Sequence, residues 1–117
     1  MHRYKDLEIW KKSLTLSFEI YRVTEKFPSE EKFGLTSQMR RSSVSIPSNI
    51  AVGAGRNSNG EFRQFLGIAT GSLFELETQV LLSEKMNFLT SDESTSFQNE
   101  ILSITNMIFK LKENLKS

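Results

Sequence analysis

Large apolar residues recur every three or four positions through most of this 117-residue chain, and no segment alternates with the period of a β-strand. The clearest repeat, near the C-terminus, comprises Phe97, Ile101, Ile104, Ile108, Leu111 and Leu115. Its period of about 3.5 residues is typical of helices that pack along one seam. A similar repeat from Phe62 to Val80 predicts a second long helix.

Short polar segments divide this pattern into four predicted helices. Ser58-Asn-Gly-Glu61 and Thr90-Ser-Asp-Glu93 have capping-box spacing, in which a hydroxyl and a glutamate satisfy free N–H groups at a helix start. The four predicted helices cover residues 7–26, 34–53, 58–85 and 90–115. Helices of this length with short connections predict an all-α fold, an antiparallel up-down four-helix bundle that forms one domain over residues 1–117.

Pro47 lies deep inside the second predicted helix. Proline lacks a backbone donor and its ring clashes with the carbonyl four residues earlier, here that of Ser43, so we expect a kink near Pro47. Nearby serines of the same helix could satisfy the freed carbonyls. The alternative is that Pro47 occupies the first position of a new helix.

The first helix carries two apolar stripes on opposite sides. One comprises Leu7, Trp10, Leu14, Phe18 and Tyr21. The other comprises Ile9, Leu16, Ile20, Val23 and Phe27. A helix of a small bundle needs one apolar stripe for its core, so a second stripe predicts a subunit interface. We assign the second stripe to that interface; a helix enclosed within its own bundle is the alternative.

Two glycines interrupt the third helix on the side away from its apolar seam. Gly67 and Gly71 lie four residues apart, and a glycine inside a helix costs about 1 kcal/mol relative to alanine. Close approach of another backbone would compensate for this cost. We therefore include both glycines in the predicted interface; simple tolerance of two glycines is the alternative.

The chain offers few groups that could carry catalysis. It has no cysteine, which excludes disulfides, thiolate metal sites and cysteine nucleophiles. Its one histidine is His2, and the paired Glu-x-x-His motifs of di-iron bundles are absent. Gly53-Ala-Gly55 follows a helix rather than a strand, unlike a phosphate-binding loop. We therefore predict a protein that is not an enzyme and that binds no metal and no cofactor.

The remaining composition is that of an ordinary soluble chain. The N-terminal residues lack the apolar core of a signal peptide. No uninterrupted apolar run approaches the ~20 residues that span a bilayer. Together with the absence of cysteine, these features predict a cytoplasmic protein with no membrane partner.

Five segments closely match the pattern of a known family. They are Tyr4-Lys-Asp-Leu-Glu-Ile-Trp10, Gly34-Leu-Thr-Ser-Gln-Met-Arg-Arg41, Val44-Ser-Ile-Pro-Ser-Asn-Ile-Ala51, Phe62-Arg-Gln-Phe-Leu-Gly-Ile-Ala69 and Gly71-Ser-Leu-Phe-Glu-Leu-Glu-Thr78. On these segments the chain resembles the "four helix bundle protein" family, also called bacterial 23S rRNA-intervening sequence proteins. It departs from the family pattern at Ser42 and Ser43, where alanines are common, and at Val52, where an acid is common.

The resemblance implies an up-down bundle that assembles as a ring-shaped homopentamer. It also implies kinship of fold with the accessory variability protein of diversity-generating retroelements, a basic pentamer that binds nucleic acid and a reverse transcriptase. The biochemical role of the family itself is not established.

The net charge of +1 hides an uneven distribution, because residues 32–60 contain four cations and no acid. We predict that this basic region binds structured RNA or DNA with little sequence specificity, through phosphate contacts and counterion release. The predicted contact residues are Arg40, Arg41 and Arg56 of this region, joined by Arg63, Lys11 and Lys12 from outside it. One alternative is that the basic region is simply a solvated helix face. A second is that Arg40 or Arg41 pairs with Glu75 or Glu77, inside a subunit or between subunits. Another is a protein-interaction scaffold for a polymerase or other host protein.

Overall fold

The computed structural model describes residues 2–116, which form four α-helices and no strand. The helices are α1 (Glu8–Thr24), α2 (Leu35–Ala54), α3 (Asn59–Lys85) and α4 (Ser91–Asn114). Short 3₁₀ segments, Tyr4–Asp6 and Ser29–Glu31, precede α1 and α2. The predicted all-α fold is confirmed.

The two predicted capping boxes mark real helix starts. At α4 the box is complete, since the Thr90 hydroxyl accepts from the Glu93 N–H and the Glu93 side chain accepts from the Thr90 N–H. At α3 the Ser58 hydroxyl accepts from the Glu61 N–H at 3.1 Å. These bonds satisfy N–H groups that have no partner within the helix, and they fix where each helix begins.

Contacts between neighbouring helices show that they run antiparallel. Early in α2, Ser42 donates to Gln79, late in α3, whereas late in α2 Gly53 lies against Phe62, early in α3. Helix α1 packs against α2 and α4, and α3 also packs against α2 and α4. The cyclic order is therefore α1, α2, α3, α4, with α1 and α3 on one diagonal, and the bundle is about 46 Å long.

Pro47 is buried inside α2, which continues without interruption on both sides of it. The alternative of a new helix starting at Pro47 is therefore wrong, while the predicted kink stays a prediction. Proline leaves the Ser43 carbonyl without its usual donor. Ser17 of α1 supplies one, because its hydroxyl donates to the Ser43 oxygen at 2.7 Å. The freed carbonyl is satisfied by the neighbouring helix and not, as we expected, by serines of α2.

The burial of the two stripes of α1 is the reverse of what we predicted. The stripe assigned to a subunit interface lies inside the single chain, since Ile9, Leu16, Ile20 and Phe27 are buried in the core and Val23 is half-buried against it. The other stripe is exposed at Phe18 (60%), Leu14 and Tyr21, while Leu7 and Trp10 at its start are half-buried against the core. Periodicity predicted the two stripes correctly, but it does not determine which one faces α2 and α4.

Small side chains beside the buried stripe explain this orientation. Ser13, Ser17 and Thr24 are all buried on the α2 side of α1, and each donates a hydrogen bond to a backbone carbonyl. Small residues allow α2 to approach closely, whereas the exposed stripe is bordered by charged residues such as Lys11 and Arg22. That difference was readable in the sequence.

By length and composition alone, α3 would qualify as a membrane-crossing helix. Burial in the bundle accounts for part of this apolar character, because Phe62, Leu66, Ala69, Leu73, Leu76 and Val80 are buried, whereas Ile68, Phe74, Leu81 and Leu82 of the same helix are exposed.

Candidate nucleic-acid interface

The two ends of the bundle carry opposite charge. The topology brings the starts of α1 and α3 and the ends of α2 and α4 to one end, together with the N-terminal segment. We divide each helix at its midpoint and call this half of the bundle the basic end. Its cations are Arg3, Lys5, Lys11, Lys12, Arg56, Arg63, Lys110, Lys112 and Lys116. Its acids are Asp6, Glu8, Glu61 and Glu113.

The opposite half, here called the acidic end, contains the remaining charges. Its cations are Arg22, Lys26, Lys32, Arg40, Arg41 and Lys85. Its acids are Glu19, Glu25, Glu30, Glu31, Glu75, Glu77, Glu84, Asp92, Glu93 and Glu100. The formal charge of +1 therefore divides into +5 at the basic end and −4 at the acidic end.

Four of the six predicted contact residues lie at the basic end. Lys11 pairs with Glu8 at 3.4 Å, Lys12 with Glu100 at 3.5 Å, and Arg56 with Glu61 at 3.4 Å. Such exposed pairs are weak, about 0–1 kcal/mol each, so these cations can exchange a carboxylate for a phosphate.

The fourth of these residues, Arg63, is more constrained. It is half-buried, and its guanidinium donates to the backbone oxygen of Lys112 in the last turn of α4. A cation at this position satisfies a free carbonyl and opposes the negative end of the helix dipole. Arg63 therefore joins α3 to α4 while contributing charge to the basic end.

Arg40 and Arg41, the pair that carried the sequence-based prediction, lie in the other half of the bundle. Arg40 is half-buried and holds α2 against α1: its guanidinium stacks 4.7 Å from the Tyr21 ring centre and donates to the Thr24 hydroxyl at 2.9 Å. Arg41 is exposed. Within residues 2–116 neither arginine forms an ion pair with Glu75 or with other acids.

Sequence reasoning missed five cations of the basic end: Arg3, Lys5, Lys110, Lys112 and Lys116. They lie near the two ends of the chain, and counts over long segments conceal them: residues 1–31 hold six cations and six acids, and residues 61–117 hold five cations and eight acids. The predicted topology could have found them, because an up-down bundle of four helices brings both chain ends and the α2–α3 turn together.

Two apolar surfaces remain exposed on opposite sides of the bundle. The first apolar surface lies on α1 and α2 and comprises Leu14, Phe18, Tyr21 and Val44. The second apolar surface lies on α3 and α4 and comprises Phe74, Leu81, Leu102 and Phe109. In the cyclic order of the helices, the α1–α2 pair and the α3–α4 pair face away from each other. Exposed clusters of large apolar side chains mark surfaces that bind a partner.

The two glycines of α3 border the second apolar surface. A Cβ atom at Gly67 would lie 3.9 Å from the Lys112 ammonium, and one at Gly71 would meet nothing within 4 Å. No close approach within residues 2–116 therefore requires glycine at Gly71. A contact from outside the chain, as we predicted for both glycines, stays a prediction.

A groove separates α1 from α4, the helix pair that packs least closely. Its volume is about 580 Å³, its apolar lining comprises Leu16, Val23 and Phe97, and its rim carries four acids together with Arg22 and Lys26. An ion pair between Lys26 and Glu93 spans the groove at the acidic end. The hydrogen bond from Lys26 lowers the pKa of Glu93, and the Thr90 backbone N–H lowers it further.

These features define an all-α four-helix bundle whose surface carries separated charge and apolar patches. Among residues 2–116, no group of three His, Asp or Glu side chains is placed to hold a metal ion. The chain belongs to the 23S rRNA-intervening sequence protein family, which matches residues 5–110.

A solved structure has the same fold. It is a protein of unknown function from the S23 ribosomal protein family of Bacteroides thetaiotaomicron, and it superposes with a TM-score of 0.80. The likeness covers 89% of this chain and 97% of that one, at 23% sequence identity, so it supports the fold alone. No curated protein matches the chain.

Proposed function

We propose that this protein is a non-enzymatic, cytoplasmic homo-oligomer that binds structured RNA or DNA through its basic end, with little sequence specificity. The observation that carries this proposal is the separation of charge, +5 at one end of the bundle and −4 at the other. Nucleic-acid backbones attract such surfaces because each neutralised phosphate releases a condensed counterion.

Assembly would strengthen a modest surface. One bundle of +5 offers few phosphate contacts, but subunits arranged side by side with their basic ends together would multiply them. The two apolar surfaces differ from each other and face opposite ways, so contact between one and the other on a second copy would be head-to-tail. Head-to-tail contacts close into rings when the rotation between copies permits it. The family resemblance implies five subunits.

We expect the basic end to bind nucleic acid with little specificity for base sequence. The cations of the basic end lie on helix ends and in the segments that connect them, and within residues 2–116 every α-helix belongs to the bundle. Contacts of this kind go to phosphates and sugars, which position a nucleic acid without reading its bases.

The proposal is tested by fluorescence-anisotropy titration with a structured RNA and a duplex DNA at about 50 mM and about 200 mM salt, with the oligomer mass measured in the same buffers. Binding to both ligands that weakens steeply with salt supports the proposal. An intact oligomer that binds neither ligand at low salt contradicts it.

A second candidate is a protein-interaction scaffold, which the groove between α1 and α4 favours. The groove combines an apolar floor with a rim of four acids, which include Glu19, Asp92 and Glu100, and two cations, Arg22 and Lys26, so the acids are in excess. This combination suits a basic amphipathic segment of a protein partner. Absence of nucleic-acid binding, together with binding of a basic amphipathic helical peptide that a Val23→Asp substitution abolishes, would favour this candidate.

A further inference from the structure

A cavity of about 340 Å³ opens at the basic end, between the N-terminal segment and the end of α2. It is lined by His2, Arg3, Tyr4, Lys5, Ala51 and Gly55. Its volume is at the lower end of the ~300–1,000 Å³ typical of small-ligand sites. The lining combines two aromatic rings with two cations and leaves the side of α2 open, because Gly55 has no side chain there.

The N-terminal segment that forms one wall is held in place. The His2 N–H donates to the Ala54 oxygen at 2.8 Å, and the His2 ring packs 5.1 Å from the ring of Phe62. Tyr4 meets the Trp10 ring edge-on at 5.2 Å and packs against the core. Rings that are already fixed lose little freedom when a ligand binds, so the cavity is preorganised for a planar group.

The chemistry of the lining matches an unpaired nucleotide. Aromatic side chains provide stacking platforms for bases, and neighbouring cations hold the phosphates on either side. Both requirements meet here, since exposed Arg3 and Lys5 alternate along the chain with His2 and Tyr4.

We infer that this cavity accepts one unpaired nucleobase, so that the protein prefers nucleic acid with a loop, bulge or single-stranded end over a fully paired duplex. The inference rests on the proposed function and specifies it: phosphate contacts across the basic end supply general affinity, and the cavity adds a preference for unpaired bases. A paired base stays within its stack and cannot enter.

Gly55 offers a direct way to fill the cavity. Its φ of −85° is accessible to any residue, and a Cβ atom there would meet only the Val52 and Ala51 oxygens, at 3.6 and 3.7 Å. Gly55→Leu therefore occupies the cavity without altering charge. Gly60→Leu is the matched control, because it lies at the same end and a Cβ atom there would have only the Ser58 hydroxyl oxygen nearby, at 3.9 Å.

The test compares an RNA stem closed by a loop of unpaired adenines with the same stem as a blunt duplex, by anisotropy at constant salt. A 2-aminopurine in the loop reports stacking through the loss of its fluorescence. The wild-type protein and Gly60→Leu should favour the loop by about tenfold, in keeping with the stacking of one base. Gly55→Leu should bind both RNAs with the affinity of the wild type for the duplex.

A second variant covers the case in which Gly55→Leu fails to fold. His2→Ala removes an exposed ring from the cavity and should reduce the loop preference while leaving the circular dichroism spectrum unchanged. Equal wild-type affinity for loop and duplex, or a preference that survives both substitutions, overturns the cavity assignment and leaves the proposed function standing. Absence of binding to either RNA overturns both.

Discussion

The basic and acidic ends of this bundle differ by nine charges, although the whole chain is almost neutral. Along the sequence the charges are interleaved, since α3 begins near Arg63 and ends among glutamates, whereas α4 begins with Asp92 and Glu93 and ends among lysines. Because the helices alternate in direction, these opposite gradients align in space. An up-down bundle with a net charge near zero can therefore have strongly and oppositely charged ends.

The ends also differ in how they are held together. At the acidic end, charged side chains pair across helices, as between Lys26 and Glu93. At the basic end, the N-terminal segment is fastened by a backbone hydrogen bond to Ala54 and by aromatic contacts. Five of the nine cations there form ion pairs with carboxylates, but such exposed pairs are worth only about 0–1 kcal/mol, so an external polyanion can replace the carboxylate.

The largest effect is expected from a substitution that unfolds the bundle, because unfolding also abolishes the separation of charge between its ends. Ile20→Asp places a charge at a side chain that is 0% exposed, whereas Phe18→Asp changes one that is 60% exposed. An unpaired buried charge costs several kcal/mol, comparable with the ~5–15 kcal/mol that stabilises a whole domain. Urea denaturation followed by circular dichroism should find Ile20→Asp unfolded and Phe18→Asp folded. The reverse result would reject the assignment of the two stripes.

The next largest effect is expected on the oligomeric state, because assembly would place the basic ends of several copies side by side. Phe18→Asp alters the first apolar surface and Phe109→Asp the second, where the wild-type side chains are 60% and 66% exposed. If the contact between copies is head-to-tail, each variant alone should be monomeric by light scattering, because one half of every contact is lost. Mixed together, the two should form a dimer through the single intact pair of surfaces. A dimer formed by either variant alone would instead indicate self-complementary contacts.

A smaller loss of stability is expected where Ser17 of α1 donates to the Ser43 carbonyl of α2. This contact keeps the two helices in register and so helps to position Lys11 and Lys12. Ser17→Ala leaves the buried Ser43 carbonyl without a donor, which should lower the free energy of unfolding by about 1–3 kcal/mol. Thr15→Ala is the control, since its exposed hydroxyl bonds only within its own helix. Equal urea midpoints for the two variants would show that the bond between Ser17 and Ser43 does not stabilise the bundle.

The smallest expected effect is a pH-dependent change in the free energy of unfolding, caused by Glu93 at the acidic end. The pKa of Glu93 is lowered in the folded state, so its ionised form stabilises the bundle above the unfolded value of 4.5. That contribution should disappear as the pH falls below 4.5 through the folded pKa. Glu93→Gln should therefore be less stable than the wild type at pH 7 and differ from it less at pH 3, as measured by urea midpoints. A difference that grows on acidification would contradict this linkage.

Helix periodicity and capping boxes were enough to predict the fold, because both are local features. Four helices, their order and the starts of α3 and α4 at Ser58 and Thr90 follow from them. Periodicity alone does not determine which stripe of α1 faces inward. Small residues such as Ser17 beside that stripe gave the relevant hint.

The candidate site was harder to predict because charge was counted along the chain rather than in space. Arg40 and Arg41 stood out in a segment without acids, yet Arg40 is used to join α2 to α1 through Thr24. Lys110 and Lys112 escaped notice because they were counted together with the acids in the first half of α4. The pairing of the freed Ser43 carbonyl with Ser17 was also beyond sequence reasoning, since these residues meet only in the folded bundle.

The most direct test of the account reverses charge at one end of the bundle at a time. One variant carries Lys5→Glu, Arg56→Glu and Lys110→Glu at the basic end; its matched control carries Lys32→Glu, Arg41→Glu and Lys85→Glu at the acidic end. Both change the net charge equally, and all six side chains are exposed. Affinity for a stem-loop RNA is measured against salt concentration.

The account predicts that the basic-end variant loses at least about tenfold in affinity and up to about three units of salt slope, one for each phosphate contact removed. The acidic-end control should stay close to the wild type. Equal losses in the two variants, or a larger loss in the control, would contradict the claim that the basic end binds nucleic acid.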